Sequence, residues 1–378
     1  MFVDTSKNAA FICVKVYTSP MCGLLTNTAY YYIIVCRGLC ADAHSPSEKE
    51  HTKYKLKGEL IKMLTAISGI NWGDEGKGRM VDLLSENADY VVRYQGGNNA
   101  GHTVINEYGE FKLNLLPSGI CRKNVVNIMG NGMVIDLAHL VGEIERVREK
   151  GVSVSPENLK ISDKATIVLP YHVQLDILEE TRLTQVTGKP YGSTRRGIAP
   201  VYGDKYMKKT IRMSDLFFED DLREKVKDIV TWKNLLIHNG YGADEVKPED
   251  IMDWLHTYGE KLKPYITDVG KILYEANKSG KSIIFEAQLG ALRDIDFGIY
   301  PYTSSSSTIS AYAPIGAGIP GMKLDKSIGI MKAYSTCVGA GPFTVRMSGD
   351  EAEELRKAGN EYGAATGRPR EVGAFDVV

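Results

Sequence analysis

The chain has 378 residues, 43% of them hydrophobic, which is enough to bury one large core or two moderate ones. Its 46 lysines and arginines almost balance its 47 aspartates and glutamates. This balance argues against a polyanion-binding surface spread over the whole protein, so no nucleic acid is expected as a partner. No apolar run reaches the roughly 20 residues that span a bilayer, so no membrane association is expected either.

The first 62 residues differ in character from the rest of the chain. Four of the six cysteines lie there, at positions 13, 22, 36 and 40, but their spacing matches no common zinc-ligand pattern. The segment lacks the features of a signal peptide and ends in a polar run just before Met63. We therefore predict two parts: residues 1–62 as an extension that is either poorly ordered or a mis-assigned start, and residues 63–378 as the folded domain. The two remaining cysteines suggest a reducing, cytoplasmic setting.

From Met63 onward, runs typical of strands alternate with runs typical of helices. Apolar residues from Leu137 to Val147 recur at helical spacing, and residues 219–277 combine many charges with helical periodicity. Short apolar runs typical of buried strands occur at residues 64–70, 90–94, 125–129, 282–285 and 327–333. The sequence therefore predicts an α/β fold: a P-loop-like, mostly parallel central sheet flanked by helices, with a helical insertion.

Residues 70–78, Ile-Asn-Trp-Gly-Asp-Glu-Gly-Lys-Gly, are the most informative segment. A strand that turns tightly into a helix presents backbone N–H groups and the positive helix end to one point, which suits a polyphosphate. The spacing is similar to a Walker A loop, G-x4-G-K-[ST], but Asn71 replaces the first glycine and Gly78 replaces the hydroxyl residue. Because that hydroxyl normally holds Mg²⁺, another group must do so, and Asp74 is the obvious candidate.

A second glycine-rich run, residues 94–104, leaves the end of a predicted strand, where α/β sheets usually bind ligands. His102 can donate a proton, or a hydrogen bond to a phosphate oxygen. Asn98, Asn99 and Thr103 add neutral donors and acceptors. A lone histidine is usually a satisfied structural residue, but this setting favours a functional one. Asp74 and His102 together form a candidate acid–base pair.

Three further segments have a structural and a functional interpretation. Residues 192–200 combine hydroxyls and arginines, which suits a phosphate monoester or a solvated basic turn. Residues 300–308 offer a phosphate-binding set of hydroxyls or a flexible serine loop. Residues 367–370 place two arginines two positions apart, which suits a carboxylate and a phosphate, or a solvated turn. Together the segments predict a site for two phosphate-bearing ligands.

Several motifs in the right order resemble those of the adenylosuccinate synthetases, from about Met63 to the end of the chain. The resemblance leaves residues 1–62 uncovered, so we expect them to be non-homologous to that family. The motifs are Trp-Gly-Asp-Glu-Gly-Lys-Gly (72–78), Gln-Gly-Gly-Asn-Asn-Ala-Gly-His-Thr (95–103), Leu-Pro-Ser-Gly-Ile (116–120), Met-Lys-Ala-Tyr-Ser-Thr (331–336), Val-Gly-Ala-Gly-Pro-Phe (338–343) and Thr-Gly-Arg-Pro-Arg (366–370).

The resemblance implies a carbon–nitrogen ligase that joins IMP and L-aspartate to form adenylosuccinate and releases GDP and phosphate from GTP. This is the first committed step from IMP to AMP in purine biosynthesis. Asp74 would remove the proton from N1 of the purine while the γ-phosphoryl group moves to O6, giving a 6-phosphoryl-IMP intermediate. His102 would assist departure of GDP. Mg²⁺ would be bound by Asp74 and the Gly101 carbonyl, and the enzyme would be a cytoplasmic homodimer.

The same resemblance implies binding residues for each substrate. For GTP they are Gly73, Asp74, Glu75, Gly76, Lys77, Gly78, Arg79, Gly101, His102, Thr103 and Arg370. For IMP they are Asp74, Lys77, Asn99, His102, Thr194, Lys208, Gln288, Ser304 and Arg368. For L-aspartate they are Thr366, Gly367, Arg368 and Arg370.

The chain departs from the family pattern at several positions. Lys208 replaces an arginine that reaches the IMP phosphate of the partner subunit, so the charge is kept but the bidentate fork is lost. In residues 286–290, Glu-Ala-Gln-Leu-Gly, the IMP-contacting glutamine moves by one position to Gln288, and Leu289 takes the aligned slot. The guanine-reading Thr-Lys-Leu-Asp motif is expected beyond residue 378, so we expect the domain to be incomplete at its C-terminus.

Two other functions remain open from the sequence. A P-loop nucleotide hydrolase would use the phosphate loop but would not need His102 or the arginines at 368 and 370. An inactive fragment that binds nucleotide would follow from a missing guanine site. Phosphate release that needs neither IMP nor L-aspartate would distinguish the hydrolase from the ligase.

Overall fold

The computed structural model describes residues 9–14, 31–36, 64–106, 108–362 and 369–376. Its strands, in chain order, are β1 (Ala9–Val14), β2 (Tyr31–Cys36), β3 (Leu64–Gly69), β4 (Tyr90–Arg93), β5 (His102–Asn106), β6 (Gly109–Leu113), β7 (Val126–Met129), β8 (Val134–Ile135), β9 (Leu159–Ser162), β10 (Thr166–Ile167), β11 (Ile266–Thr267), β12 (Ile283–Gly290), β13 (Lys326–Lys332), β14 (Ser335–Cys337) and β15 (Glu371–Gly373). Its α-helices are α1 (Lys77–Ser85), α2 (Leu137–Glu149), α3 (Pro170–Thr187), α4 (Ile198–Met207), α5 (Glu219–Asn234), α6 (Pro248–Leu262), α7 (Val269–Lys278), α8 (Ala313–Ala317) and α9 (Asp350–Ala358).

A nine-stranded sheet in the order β1-β2-β13-β3-β12-β4-β7-β9-β11 forms the centre of the fold. From β13 to β11 every neighbouring pair is parallel, whereas β2 pairs antiparallel with β13 and β1 pairs antiparallel with β2. Three two-stranded sheets, β5/β6, β8/β10 and β14/β15, lie outside it. The predicted mostly parallel sheet is therefore confirmed.

The central strands are buried on both faces, which explains their continuous apolar sequences. Ile67, Val91 and Ile284 pack with α1 on one face, while their strand neighbours Phe285 and Val92 pack with α7 and α8 on the other. A third and larger cluster joins α2, α5 and α6. The strands thus carry helices on both sides, as expected of a parallel sheet whose strands are joined by helical connections.

The predicted helical insertion is confirmed by α5, α6 and α7. The helical region is longer than the charge pattern of residues 219–277 indicated, because it begins earlier, with α3 and α4. Within the part of the chain that the structure describes, no helix combines the length and apolar character needed to cross a bilayer.

Strands β1 and β2 belong to the segment that we predicted to be an extension. The other positions before Leu64, and the side chains of these two strands, lie outside the described residues, so the domain boundary at Met63 stays a prediction. The cysteines at positions 13, 22, 36 and 40 fall in the same segment.

Removal of residues 1–62 is expected to leave the fold intact, because the members of the three large hydrophobic clusters whose side chains the structure describes lie in residues 64–330 and contact one another there. A chain that starts at Met63 should unfold in one cooperative thermal transition, followed by circular dichroism. A chain that starts at Tyr31 is the matched control, since it keeps β2 paired with β13. Loss of the cooperative transition in the shorter chain alone would show that the extension belongs to the folded unit.

Candidate active site

The loops that follow β3 and β4 meet the last residues of β12 at the carboxyl edge of the sheet, where these three strands are neighbours. A Cβ placed on Gly73 would lie 3.2 Å from the Cα of Leu289, so the first loop touches β12. A Cβ on Gly96 would overlap the side chain of Gln288, so the second loop touches β12 as well. The predicted site segments are therefore adjacent in space.

The loop after β3 has the shape of a phosphate-binding loop. Gly73, Asp74 and Gly76 adopt positive φ angles of 102°, 61° and 88°, and α1 begins directly at Lys77. Glycine adopts such angles without strain, and aspartate tolerates them better than most residues. The tight turn brings the positive end of α1 to the sheet edge.

Glu75 places its carboxylate inside this loop. Its Oε1 accepts hydrogen bonds from the N–H groups of Asn71 (3.2 Å) and Gly73 (2.9 Å), and its Oε2 lies 2.5 Å from Nζ of Lys77. Glu75 and Lys77 are both almost fully buried. Loop N–H groups and the lysine thus converge on one anion, as expected of a phosphate-binding loop.

Gly78 explains the departure from the Walker pattern. A Cβ at this position would lie 2.7 Å from Cβ of His102 and 3.0 Å from Oγ of Ser118. A serine or threonine would therefore collide with the histidine. Because Gly78 has no side chain, His102 has room to lie beside the phosphate loop.

Asp74 belongs to a series of ion pairs that connects the phosphate loop with residues 369–376. Its Oδ2 lies 3.0 Å from Nε of Arg370, and Nη1 of Arg370 lies 2.7 Å from Glu361. Glu361 also accepts from Lys332 at 2.9 Å and from the Tyr334 hydroxyl. Burial lowers the pKa of Lys332, and the carboxylates of Glu361 and Asp74 oppose that shift. The carboxylates of Asp74 and Glu361 are thereby held in place at the site by Arg370 and Lys332.

His102 forms a buried pair with Glu286, in the middle of β12. Nδ1 of His102 lies 2.6 Å from Oε1 of Glu286. The Ser118 hydroxyl donates to the same oxygen at 2.6 Å, and the Ser118 N–H donates to Oε2 at 2.8 Å. The carboxylate is therefore held in one orientation, and it in turn orients the imidazole ring.

Opposing effects set the charges of this pair. Burial would raise the pKa of Glu286, but His102, Arg93 and Ser118 hold it below its ordinary value. Burial lowers the pKa of His102, and Glu286 opposes that shift. Glu286 is therefore ionised and can only accept, so Nδ1 of His102 donates to it and Nε2 is the free nitrogen.

The predicted IMP residues of the second loop and of β12 are in contact. Nε2 of Gln288 donates to Oδ1 of Asn99 at 3.0 Å and to the Gly97 carbonyl at 2.9 Å. Oγ of Ser304 lies 3.4 Å from Oγ of Ser306, which donates to Gln95 at 2.9 Å. Leu289, which we expected in the place of the IMP-contacting glutamine, has a φ of 62°, an uncommon angle for a leucine.

Thr194 belongs to a loop that two buried carboxylates of α3 hold in place. Asp176 accepts from the Ser193 hydroxyl at 2.6 Å and from the Gly197 N–H at 2.8 Å. Glu180 accepts from two further N–H groups, of Tyr191 and Gly192. The segment is therefore an ordered loop with its own anchors, not merely a solvated turn.

The structure does not bring every predicted residue into the cluster. Lys208 is exposed at the end of α4, and among the described residues no contact joins it to the other predicted ligands. Thr103 is exposed on β5, and Gly101 and Arg79 are half-buried. Thr366, Gly367 and Arg368 lie outside the described residues, so their role as aspartate ligands stays a prediction.

Sequence reasoning did not assign a role to Glu286, Ser118, Lys332 or Glu361. The first three lie in or beside segments already recognised as motifs, which was the available signal. Glu286 and His102 are 184 positions apart, so nothing local in the sequence pairs them.

The predicted Mg²⁺ ligands are suitable in kind. Mg²⁺ prefers oxygen ligands and usually takes one or two carboxylates, with substrate phosphates and waters for the rest. Asp74 offers a carboxylate at the phosphate loop, and Gly101 offers a carbonyl next to His102, which abuts the first turn of α1. Within the described residues no group of three or more His, Cys, Asp or Glu side chains could form a closed metal site. A magnesium site with only these two protein ligands, completed by phosphate oxygens, is consistent with the available oxygens and with the lack of a closed metal site among the described residues.

Comparison with known proteins agrees with this geometry. Residues 66–378 match the family model described as adenylosuccinate synthetase. The adenylosuccinate synthetase of Caldanaerobacter subterraneus subsp. tengcongensis is 45% identical over 315 residues, which cover 83% of this chain and 73% of that protein. That of Clostridium novyi is 44% identical over 313 residues, covering 82% and 72%.

Solved structures show the same relationship. A fully ligated adenylosuccinate synthetase from Plasmodium falciparum superposes with a TM-score of 0.76 at 36% identity, covering 83% of this chain and 72% of that one. A cyanophage S-2L succinoaminodeoxyadenylate synthetase, at 20% identity and a TM-score of 0.55, shares the fold. Asp74, His102 and Glu286 all fall inside the matched region, and the chain is a ligase that belongs to the adenylosuccinate synthetase family.

Proposed function

We propose that this enzyme ligates IMP and L-aspartate to adenylosuccinate, with GTP as the phosphoryl donor and 6-phosphoryl-IMP as the intermediate. The observation that carries the proposal is the joint position of Asp74 in the phosphate loop and the His102–Glu286 pair beside its helix. A phosphate loop alone would serve many nucleotide enzymes. A carboxylate and an oriented imidazole at the same helix end suit a reaction that must move a proton and a phosphoryl group together.

The phosphate loop supplies the electrostatic part of the reaction. The N–H groups of Asn71 and Gly73, the positive end of α1 and Lys77 would hold the β- and γ-phosphates of GTP. In the structure the N–H groups of Asn71 and Gly73 and the Lys77 ammonium hold the Glu75 carboxylate. Fixed donors aimed at developing negative charge stabilise a transferring phosphoryl group without reorganisation. Mg²⁺, bound by Asp74, the Gly101 carbonyl and phosphate oxygens, would neutralise charge on the β- and γ-phosphates.

Asp74 would act as the base that removes the proton from N1 of IMP. Loss of that proton places negative charge on O6, which then attacks the γ-phosphorus. Nε2 of His102 would donate to the phosphate oxygen that becomes part of GDP, and the Glu286 carboxylate would stabilise the imidazolium. The amine of L-aspartate then displaces phosphate from C6, because a phosphoryl oxygen leaves far more readily than the original carbonyl oxygen.

The remaining predicted ligands lie around this centre. Asn99, Thr194, Gln288 and Ser304 would bind IMP. Gln288 supports this assignment because its Oε1 is buried and has no partner among the described residues. Arg370, beside Asp74, would bind both GTP and L-aspartate, together with the segment that contains Arg368.

A product assay tests the proposal. Residues 1–378, and separately any longer product of the same reading frame, would be incubated with IMP, GTP, Mg²⁺ and L-aspartate while adenylosuccinate is followed by absorbance. Product from either chain supports the ligase. Phosphate release that is independent of IMP and L-aspartate, without adenylosuccinate, would establish the nucleotide hydrolase instead.

We further propose that the enzyme works as a cytoplasmic homodimer in which Lys208 serves the site of the partner subunit. Lys208 is exposed and adopts a positive φ of 62° directly after α4, where it projects from the end of the helix. Exposed apolar side chains next to it, Tyr206 and Met207, suit a surface that a second subunit covers.

Mixed subunits provide a sharp test of this arrangement. Lys208→Ala is expected to raise the KM for IMP about tenfold, and Asp74→Asn to abolish turnover. In a 1:1 mixture assayed at low IMP, each mixed dimer would contain one intact site, so about a quarter of wild-type activity should return. Lys208→Arg mixed with Asp74→Asn is the control for subunit exchange. A mixture that is no more active than Lys208→Ala alone would place Lys208 in its own subunit's site or outside any site.

A further inference from the structure

Arg293 is a buried arginine whose hydrogen-bond partners are all neutral. It ends the 3₁₀ turn Ala291–Arg293 that follows β12, and it is 8% exposed. Its guanidinium donates to the carbonyls of Tyr302, Val338 (3.0 Å) and Ala340 (3.4 Å), and Nη2 lies 2.8 Å from Sγ of Cys337. No carboxylate of the described residues lies within ion-pair distance of it. Because a buried charge is normally paired, this placement needs an explanation.

The acceptors belong to two separate loops. Tyr302 lies two positions before Ser304, and the Ser304 N–H donates to the main-chain carbonyl of Arg293 itself at 2.8 Å. Val338 and Ala340 lie in the glycine-rich segment that follows β14. Arg293 therefore joins residues 300–308, the serine loop, to residues 338–343, the glycine-rich loop, through both its main chain and its side chain. The planar guanidinium can donate in several directions at once, which a lysine ammonium on a flexible stem does less well.

The two loops are walls of one cavity of about 580 Å³. Its lining includes Tyr302 from the serine loop, residues 339–342 from the glycine-rich loop, and Lys189 and Gly192 from the loop that carries Thr194. This volume lies within the usual range of small-ligand sites, roughly 300–1,000 Å³. The walls are close-fitted, since a Cβ on Gly341 would lie 2.7 Å from the Tyr302 ring. The cavity thus opens between loops that carry two proposed IMP ligands, Thr194 and Ser304.

We propose that Arg293 is a positioning residue for the purine mononucleotide, because it fixes the separation of the two loops that form the cavity walls. The inference rests on the proposed function, since it takes IMP as the ligand of the loops that carry Thr194 and Ser304. Arg293 does not touch the reacting atoms in this arrangement. Its effect is therefore expected on the binding of IMP and not on phosphoryl transfer.

Steady-state kinetics of Arg293→Met test the proposal. This change keeps the length of the stem and removes every donor, so the KM for IMP is expected to rise about tenfold, while kcat and the KM for GTP change less than about threefold. Arg293→Lys should give a smaller rise, because one ammonium can reach fewer of the carbonyls. Cys337→Ala is the matched control, since it removes the sulfur acceptor but leaves the three carbonyl bonds, and it should retain the wild-type KM values.

Two results would overturn the positioning role. One is an unchanged KM for IMP in Arg293→Met, and the other is an equal rise in KM for IMP and GTP, which would indicate general destabilisation. Thermal melting of each variant shows whether it is folded, and Arg293→Lys carries the test if Arg293→Met is not. Failure of the proposed function is a separate result: the wild-type enzyme would then make no adenylosuccinate, and IMP binding measured by calorimetry would still test Arg293.

Discussion

Replacing Asp74 by asparagine is expected to lower kcat for adenylosuccinate formation by at least about 10³-fold, while the affinity for GTP changes only a few-fold. Asparagine has nearly the same size and can occupy the same place in the loop, but it cannot accept the N1 proton. It also weakens the contact with Arg370, at 3.0 Å, and removes one proposed oxygen ligand of Mg²⁺. This variant should therefore lose turnover but still bind GTP.

The measurement combines the absorbance assay for product with calorimetric titration of GTP. Asp89→Asn is the matched control, because Asp89 is also an aspartate in an ion pair, with Lys281, but lies at the amino end of β4, away from the site. It should retain wild-type kcat. Turnover by Asp74→Asn within tenfold of the wild type would refute the base role, even if nucleotide binding were intact.

Glu286→Gln is expected to lower kcat on the order of 10²-fold and to shift the pH profile to lower pH. The sign follows from the charges around His102. Burial lowers the pKa of His102, and the Glu286 carboxylate opposes that shift, so its removal lets the pKa fall further. Less imidazolium is then present at any given pH. If His102 donates to the leaving GDP, the pH at which activity declines on the alkaline side should fall.

A kcat-versus-pH profile at saturating substrates measures this shift. His102→Asn serves as the second variant, since it should lower kcat and abolish the corresponding inflection altogether. Glu286→Asp keeps the charge but shortens the arm, so its profile should keep the wild-type inflection at a reduced rate. An unshifted profile in Glu286→Gln would contradict the role of this carboxylate in setting the protonation of His102.

The sheet and the phosphate loop could be predicted from the sequence because their signals are local. Continuous apolar runs identify doubly buried strands, and the glycines at 73 and 76 identify the turn that needs positive φ angles. Helices α3 and α4 were not predicted, since much of α3 is polar and exposed and α4 contains proline and glycine. Their positions depend on packing with distant residues.

Only part of the candidate site could be predicted from the sequence, namely the residues with a local signal. Asp74 and His102 are recognisable by residue type within glycine-rich loops. Glu286 and Arg293 are not, because each acts through partners that only the folded chain supplies: Glu286 through His102, and Arg293 through carbonyls from two other loops. A main-chain acceptor has no sequence signature at all. For this reason the buried arginine could be found only in the structure.

The carboxylate of Glu75 has a consequence for nucleotide selectivity. It is a tethered anion that already occupies the loop, at an effective concentration that a free ion in solution does not reach. A small monoanion therefore gains little by entering, whereas a triphosphate brings several charges and a metal ion and can displace it. The N–H groups of Asn71 and Gly73 and the Lys77 ammonium have a partner in Glu75 without any bound anion. The internal carboxylate would thus favour entry of a polyvalent nucleotide over entry of a small monoanion.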